Sequence, residues 1–334
     1  MAKPRIYVLP HGALYEQIMV PQVTEVLDSF CEWERNPHGR DLTPEELLEV
    51  AQSHDGILGS WGKYRITREL LAQAPRLRIV AHAAGSLRAL VEPEVLKEGF
   101  VFTNASAGIA PYVAEHALCL AIASLRGLGE HVVAMRTART WGNPDFKPNR
   151  TLYDATVGLV GLGQVGRCVP PLLQPFRCRM LGYDPYLAPE RAQALGVELT
   201  SLPELLAASL VVSLHAPIIP ETKHMIGAKE LALMGDGAVL VNTARGWLVD
   251  HEALLAEVRT GRLRAALDVT EPEPLPAESE LRDTPGVILT PHIAGPTWDR
   301  RWDLAYLAAC DLRAFFAGER PRYQVTYEML ESMA

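Results

Sequence analysis

Apolar positions in this chain gather into short β-branched runs, separated by mixed stretches with helical spacing. Residues 5–9 read as a strand. Thr43-Pro44-Glu45-Glu46 is a helix start, with threonine as N-cap, proline at the first helical position and glutamate three residues past the cap. Gly56–Gly59 reads as a short buried strand, 67–74 as a helix stopped by Pro75, and 77–81 as a strand followed by a small-residue turn. Pro93–Lys97 is a short helix ended by Gly99, and 100–103 is a strand. Strands alternating with helices predict a parallel α/β unit. Residues 112–125 form a longer apolar helix containing Glu115 and His116, and 141–150 form a loop rich in proline and asparagine.

A second α/β unit is predicted from Thr156 to about His292. Its strands are Thr156–Val160, 180–183, 210–215, 238–243, 265–269 and 287–290, with helices between most of them. Helix 250–260 has Gly261 after its end, and Trp302–Phe316 is closed by Gly318. That last helix lies past the final strand, so it is free to return to the first unit. The expected architecture is two doubly wound parallel sheets.

Directly after the first strand of the second unit stands Gly161-x-Gly163-x-x-Gly166. The first glycine permits a tight turn, the second a close approach of a pyrophosphate, and the third close helix–strand packing. The next strand ends in Asp184, roughly 20 residues on, where a carboxylate meets an adenosine ribose. Strand, glycines, helix, strand and acid in this order predict a dinucleotide site. Asp184 is followed by Pro185 with no adjacent Arg or Lys, which favours NAD over NADP. Pro170, Pro171 and Pro175 fall in the expected helix, so a kink is predicted near Pro170, with the first two turns intact.

With 334 residues, 48% apolar and 22% charged, the chain suits two globular domains. A net charge of −8 argues against a nucleic-acid surface. No apolar run reads as long enough to span a bilayer, no leader follows Met1, and the five cysteines show neither CxxC nor metal-ligand spacing. A cytoplasmic setting, reduced thiols and no metal are expected.

Ligands of doubly wound sheets bind outside the carboxyl ends of the strands. At those ends stand His215, Arg245, Asp268 with Glu273 beyond it, and His292. Histidine exchanges protons near neutral pH, a carboxylate supports the imidazolium, and a guanidinium grips a substrate carboxylate. That set suits hydride transfer to or from an alcohol carbon. Taken singly, an arginine or histidine at a strand end is more often structural. His11, His38, His54, His82, His116, His131, His224 and His251 carry weaker claims. Trp298 is near enough in sequence to His292 to wall a substrate pocket, and Lys63, Arg65 and Arg88 are the candidates for a phosphate contact.

Further stretches join these motifs: Val113-Ala-Glu-His116, His215-Ala-Pro217, Val241-Asn-Thr-Ala-Arg245-Gly246, Leu267-Asp-Val269 with Glu273-Pro274, and Pro291-His-Ile-Ala-Gly295. Taken together, the chain resembles the D-isomer-specific 2-hydroxyacid dehydrogenases. The resemblance implies a flavodoxin-like substrate domain (1–105 and 296–334) with a Rossmann NAD-binding domain (106–295) inserted into it. It implies that Arg245 binds substrate, Glu273 pairs with His292, and His292 is the acid–base. Amides of Ala84, Gly85 and Ser86 would hold the substrate carboxylate. Gly161, Gly163, Gln164, Val165, Gly166, Asp184, His215, Ala216, Pro217, Thr243 and Asp268 would line the NAD site. A homodimer through the NAD domains, with a D-2-hydroxyacid or 2-keto acid as substrate, is implied too. Glu273 stands where formate dehydrogenases carry glutamine. The chain departs from the family at Ser86 to Val91, at Ile109, at Pro170-Pro171 and near Arg264, and the first two departures leave the substrate open. Two other readings share the fold: an NAD(H)-sensing binding protein of the co-repressor type, and a dehydrogenase acting on a non-carboxylate anion such as phosphite.

Overall fold

The computed structural model describes residues 3–141 and 149–331. Two compact units divide the chain, Met1–Ile109 with Pro296–Ala334, and Ala110–Gly295. In the first unit β1 (Arg5–Val8) leads through α1 (Gly12–Ile18) and α2 (Pro21–Phe30) to β2 (Glu32–Arg35). Then come α3 (Pro44–Ser53), β3 (Gly56–Gly59), α4 (Arg68–Gln73), β4 (Ile79–His82), α5 (Pro93–Lys97) and β5 (Val101–Asn104). The strands pair in parallel in the order β2-β1-β3-β4-β5, the flavodoxin-like order whose direction reverses between β1 and β3. Alternate residues feed opposite faces: Ile6, Val8, Leu58 and Ile79 enter one core, Tyr7, Ile57 and Val80 the other.

The helix start at Thr43 forms as read. Thr43 accepts from the Glu46 N–H, and Glu46 accepts from the Thr43 N–H. The stretch from Pro10 to Leu42 carried no assignment, yet it holds two helices and an edge strand. β2 reads Glu-Trp-Glu-Arg and is mostly exposed, so it lacks the apolar signal of a buried parallel strand.

α6 (Ser106–Leu125) starts six residues before the predicted helix and runs through Pro111. Pro111 lies in the second turn, where its missing N–H forfeits a single bond to the preceding turn. The longer helix also corrects the reading of the apolar runs. At 20 residues it is long and apolar enough, by length and composition, to cross a bilayer. Ala114, Ala117, Leu120, Ala121 and Leu125 instead pack into the core of the second unit.

Beyond α6 lie α7 (Leu128–Val133) and a π-helical turn, Ala134–Ala138. Most of the predicted loop 141–150 lies outside the described residues. The second sheet comprises β6 (Thr156–Val160), β7 (Arg179–Tyr183), β8 (Val197–Leu199), β9 (Val211–Leu214), β10 (Val239–Asn242), β11 (Arg264–Leu267) and β12 (Val287–Leu289). All pairs are parallel, in the order β12-β11-β10-β9-β6-β7-β8. This is the Rossmann arrangement, reversing between β6 and β9. Its helices are α8 (Val169–Leu173), α9 (Pro189–Ala194), α10 (Leu202–Ala208), α11 (Ala228–Leu233) and α12 (His251–Arg259). The chain then returns to the first unit with α13 (Trp302–Phe316), which packs Leu304, Ala308 and Leu312 beside Ile6, Leu58 and Ile79, and ends in α14 (Tyr327–Glu331).

The helix after the glycine fingerprint differs from expectation. Gln164 to Cys168 is a turn, and regular helix covers only α8, with Pro170 and Pro171 in its first positions. Neither proline can donate to the turn before it, so the ladder started by the Arg167 N–H on the Gly163 carbonyl stops and a new helix begins. The two turns expected to survive intact are not regular helix.

Candidate active site

The three fingerprint glycines have separate reasons to be glycine. Gly161 has φ 88°, and a Cβ there would stand 2.8 Å from the Ala216 nitrogen. A Cβ on Gly166 would stand 2.1 Å from the Gly161 carbonyl oxygen. Around Gly163 nothing lies within 4 Å, which leaves the backbone open to a ligand. Among the described residues, the N–H groups of Gly163, Gln164 and Val165 have no protein acceptor. With α8 so short, the free donors here are these turn amides and not the end of a long helix.

Asp184 follows β7 and accepts from the Leu162 and Tyr186 N–H groups, which ties it to the fingerprint. Across the switch point, His215, Ala216 and Pro217 follow β9. Ser213 Oγ lies 2.9 Å from His215 Nε2, and Nδ1 is buried without a partner. Burial depresses the His215 pKa to about 4, so the ring is neutral at pH 7. The Thr243 hydroxyl at the end of β10 is also buried without a partner. An open glycine turn, a carboxylate at the second strand end and unpaired polar atoms across the switch point fit a dinucleotide.

Arg245 follows β10. Its backbone is fixed by the buried Asn242, whose side-chain amide donates to the Arg245 carbonyl and accepts from the Ala244 N–H. Gly246 lets this loop lie against the Thr270 backbone, which a Cβ would strike. The Arg245 guanidinium is largely buried and bonds the Ala244 carbonyl at 2.6 Å. Burial lowers its pKa, and the nearby Glu273 charge acts in the opposite sense. Glu273 stands between two cis peptide bonds, Glu271–Pro272 and Glu273–Pro274. Its carboxylate meets His292 Nδ1 at 2.5 Å. The structure therefore joins His292 to Glu273 and sets Arg245 where the charge of the same carboxylate acts on it.

His292 has φ 53°, a conformation that costs a residue with a side chain about 1–3 kcal/mol. Asp268, 1% exposed, holds it there. The Asp268 carboxylate accepts from the Thr290 hydroxyl at 2.5 Å and from the Ile293 and Ala294 N–H groups at 2.9 Å each, and its own carbonyl accepts from the His292 N–H. His116 of α6 extends the group, 3.2 Å from the Thr290 hydroxyl and 3.6 Å from Asp268. Asn242 was given no role from the sequence, and His116 was given only a weaker claim and a place in one of the motifs. A polar residue inside the apolar run 238–243 was the available sign for Asn242, and the Val113-Ala-Glu-His116 motif that for His116.

In the first unit, the turn after β4 has its carbonyls taken. The Ala84 carbonyl accepts from the Ala105 N–H and the Gly85 carbonyl from the Asn104 side chain. Among the described residues the Ala84, Gly85 and Ser86 N–H groups have no protein acceptor, an arrangement that receives anions. Trp298, also in this unit, is 71% exposed. A cavity of about 710 Å³ opens on the flank of this unit between α3 and α4; Lys63 and Arg65, two of the three candidates for a phosphate contact, line it, and none of the predicted catalytic or cofactor residues does.

A Rossmann unit with an open glycine turn and a paired histidine and glutamate at its strand ends defines a dinucleotide-binding protein of the oxidoreductase class. Residues 118–294 match the NAD binding domain of the D-isomer specific 2-hydroxyacid dehydrogenases. The glyoxylate reductase of Thermofilum pendens is 33% identical over 99% of this chain and 97% of its own. The D-3-phosphoglycerate dehydrogenase of Mycobacterium leprae is 38% identical over 84% of this chain and 52% of its own. The D-lactate dehydrogenase of Lactobacillus jensenii, solved with NAD+, is 26% identical and superposes with a TM-score of 0.79 over 96% of this chain and 99% of its own. The chain spans about half the length of the phosphoglycerate dehydrogenases it matches. It belongs to the D-isomer specific 2-hydroxyacid dehydrogenase family, and its Rossmann unit is an NAD-binding domain.

Proposed function

We propose that the protein is an NAD-dependent oxidoreductase that moves a hydride between the cofactor and C2 of a D-2-hydroxyacid or its 2-keto partner. The observation that carries this reading is the His292–Glu273 pair at 2.5 Å, beside the buried Arg245. Bound NAD supplies the hydride acceptor, and NADH the donor. His292 Nε2 takes the proton of the C2 hydroxyl in oxidation and returns it in reduction. Glu273 holds Nδ1, which fixes the tautomer and stabilises the imidazolium. Arg245 grips the substrate carboxylate, as do the amides of Ala84, Gly85 and Ser86, and Trp298 borders the substrate. Residues 106–295 serve as the NAD domain, and 1–105 with 296–334 as the substrate domain. Gly161, Gly163, Gln164, Val165 and Gly166 face the pyrophosphate and Asp184 the ribose. His215, Ala216, Pro217 and Thr243 line the cofactor's far half, and Asp268 shapes the wall beside it.

The test is NADH oxidation by the purified protein with glyoxylate, hydroxypyruvate, pyruvate and longer 2-keto acids. His292→Ala is expected to lower kcat by at least about a hundredfold with NADH affinity, read by fluorescence titration, unchanged. A variant with normal turnover removes the assignment.

We also infer a homodimer through the NAD domain in the cytoplasm. Leu128, Val133 and Met135 present exposed apolar side chains on and just after α7, and five free thiols suit a reducing compartment. Sedimentation equilibrium of the wild type and of Val133→Glu checks the dimer; the variant is expected to shift to monomer.

A further inference from the structure

The cavity between α3 and α4, about 710 Å³, has the size of a small-molecule site. Leu42, Leu47, Leu48, Leu70 and Leu90 wall it. Leu42, Leu48 and Leu70 are only half-buried, so apolar surface inside it stays open to solvent. Three charged residues stand among the leucines, Lys63, Arg65 and Glu69, and all three are exposed. Lys63 and Arg65 make no ion pair among the described residues. Glu69 lies in the first turn of α4, where unpaired backbone N–H groups favour a carboxylate. Two cations against one acid leave the lining positive, in a chain whose net charge is −8. An apolar body with an anionic head matches that lining, the body covering the leucines and the head meeting the two cations.

The cavity also bears on the anion-receiving turn. Tyr64 lines it, and the Tyr64 hydroxyl lies 2.7 Å from His82 Nδ1. His82 ends β4, and the Ala84 to Ser86 turn follows it. Gly59 makes room for this contact, because a Cβ there would come within van der Waals overlap of the Tyr64 hydroxyl. A second link leaves the far side of the turn. Ala89 and Leu90 line the cavity, the Ile66 N–H donates to the Leu90 carbonyl at 2.8 Å, and the Glu92 N–H donates to the Ile66 carbonyl at 3.0 Å. The cavity wall around Tyr64 and Ile66 is thus bonded to the chain on both sides of the turn. Ala89 and Leu90 fall in the stretch from Ser86 to Val91, where the chain departs from the family, so this part of the wall is its own.

We propose that this cavity is a ligand site apart from the substrate and the cofactor, that it takes an amphipathic organic anion, and that its occupant alters the hold of the turn on the substrate carboxylate. The coupling rests on the dehydrogenase reading above; the binding does not. The probe is naphthalene-1-sulfonate, with naphthalene-1-sulfonamide as its neutral match, each titrated by calorimetry into the protein saturated with NADH so that the dinucleotide site is filled. The sulfonate is expected to bind at one site with a Kd below about 1 mM, and the sulfonamide about tenfold or more weaker. Arg65→Gln, at an exposed position, should bring the sulfonate down to the level of the sulfonamide, and Leu48→Trp, which fills the cavity, should abolish binding of both. A sulfonate that does not bind, equal affinity for the two probes, or affinities that both variants leave intact overturns the site. The sulfonate is also expected to change KM for a 2-keto acid by about fivefold or more, reaching a plateau that a competitor for the active site would not reach, with kcat little changed. Binding with no change in KM, or a KM that climbs without a plateau, overturns the coupling. No turnover of any 2-keto acid removes the dehydrogenase reading and the coupling with it, while the calorimetry still decides the site.

Discussion

The Asp268 side chain touches no solvent, yet it sets the backbone that presents His292. Three donors converge on its carboxylate, from Thr290, Ile293 and Ala294. Asp268→Ala leaves all three unpaired in a buried site and is expected to cost about 3 kcal/mol or more. Urea denaturation reads the loss, and kcat should fall with it because the left-handed His292 backbone loses its tether. A second prediction concerns protons. Burial depresses His82, bonded through Nδ1 to the Tyr64 hydroxyl, to about 4, and His215 likewise. Below pH 6.5 the unfolded chain takes up protons that these folded rings refuse. Stability is whole above that pH and falls as pH drops toward 4, by up to about 3 kcal/mol for each ring. Urea midpoints at pH 7.5 and 4.5 measure the drop, and His82→Gln should flatten it. The sequence marked Arg245, Glu273 and His292 through their places after strands. It gave no role to Asn242 and only a weaker claim to His116, since their part depends on neighbours distant along the chain.

At the scale of elements, the fingerprint turn separates two kinds of glycine. Gly166→Ala drives a Cβ into the Gly161 carbonyl, so the variant is expected to lose several degrees in its thermal midpoint. Gly163→Ala meets nothing, so it should fold normally and bind NADH more weakly. Thermal melts with NADH titrations check both, and equal melting of the two variants would sink the distinction. The α3 capping box and the strand cores were legible, because cap chemistry and β-branched runs act locally. β2 and α8 were not. β2 is a polar edge strand that forms because β1 offers a free edge, and α8 begins where prolines forbid a longer helix.

At the scale of the molecule, the second unit is one continuous stretch, whereas the first is assembled from both ends of the chain. A fragment covering 106–295 is therefore expected to fold cooperatively and bind NADH, and a fragment covering 1–105 alone to unfold, because it lacks α13 and with it Leu304, Ala308 and Leu312 in its core. Circular dichroism melts of both fragments test this; a stable 1–105 would refute the core argument. The sequence by itself determined the alternation of strands and helices, the dinucleotide turn and which ionisable residues stand at strand ends. Each of these is written in local spacing, in period-two burial and in the conformations that glycine and proline allow or forbid. Only the tertiary structure decided the strand orders, the grouping of Asp268, Thr290 and His116 behind His292, and the meeting of Tyr64 with His82. Those depend on which faces and edges remain to be covered once every element has formed, a condition that no local stretch of residues contains.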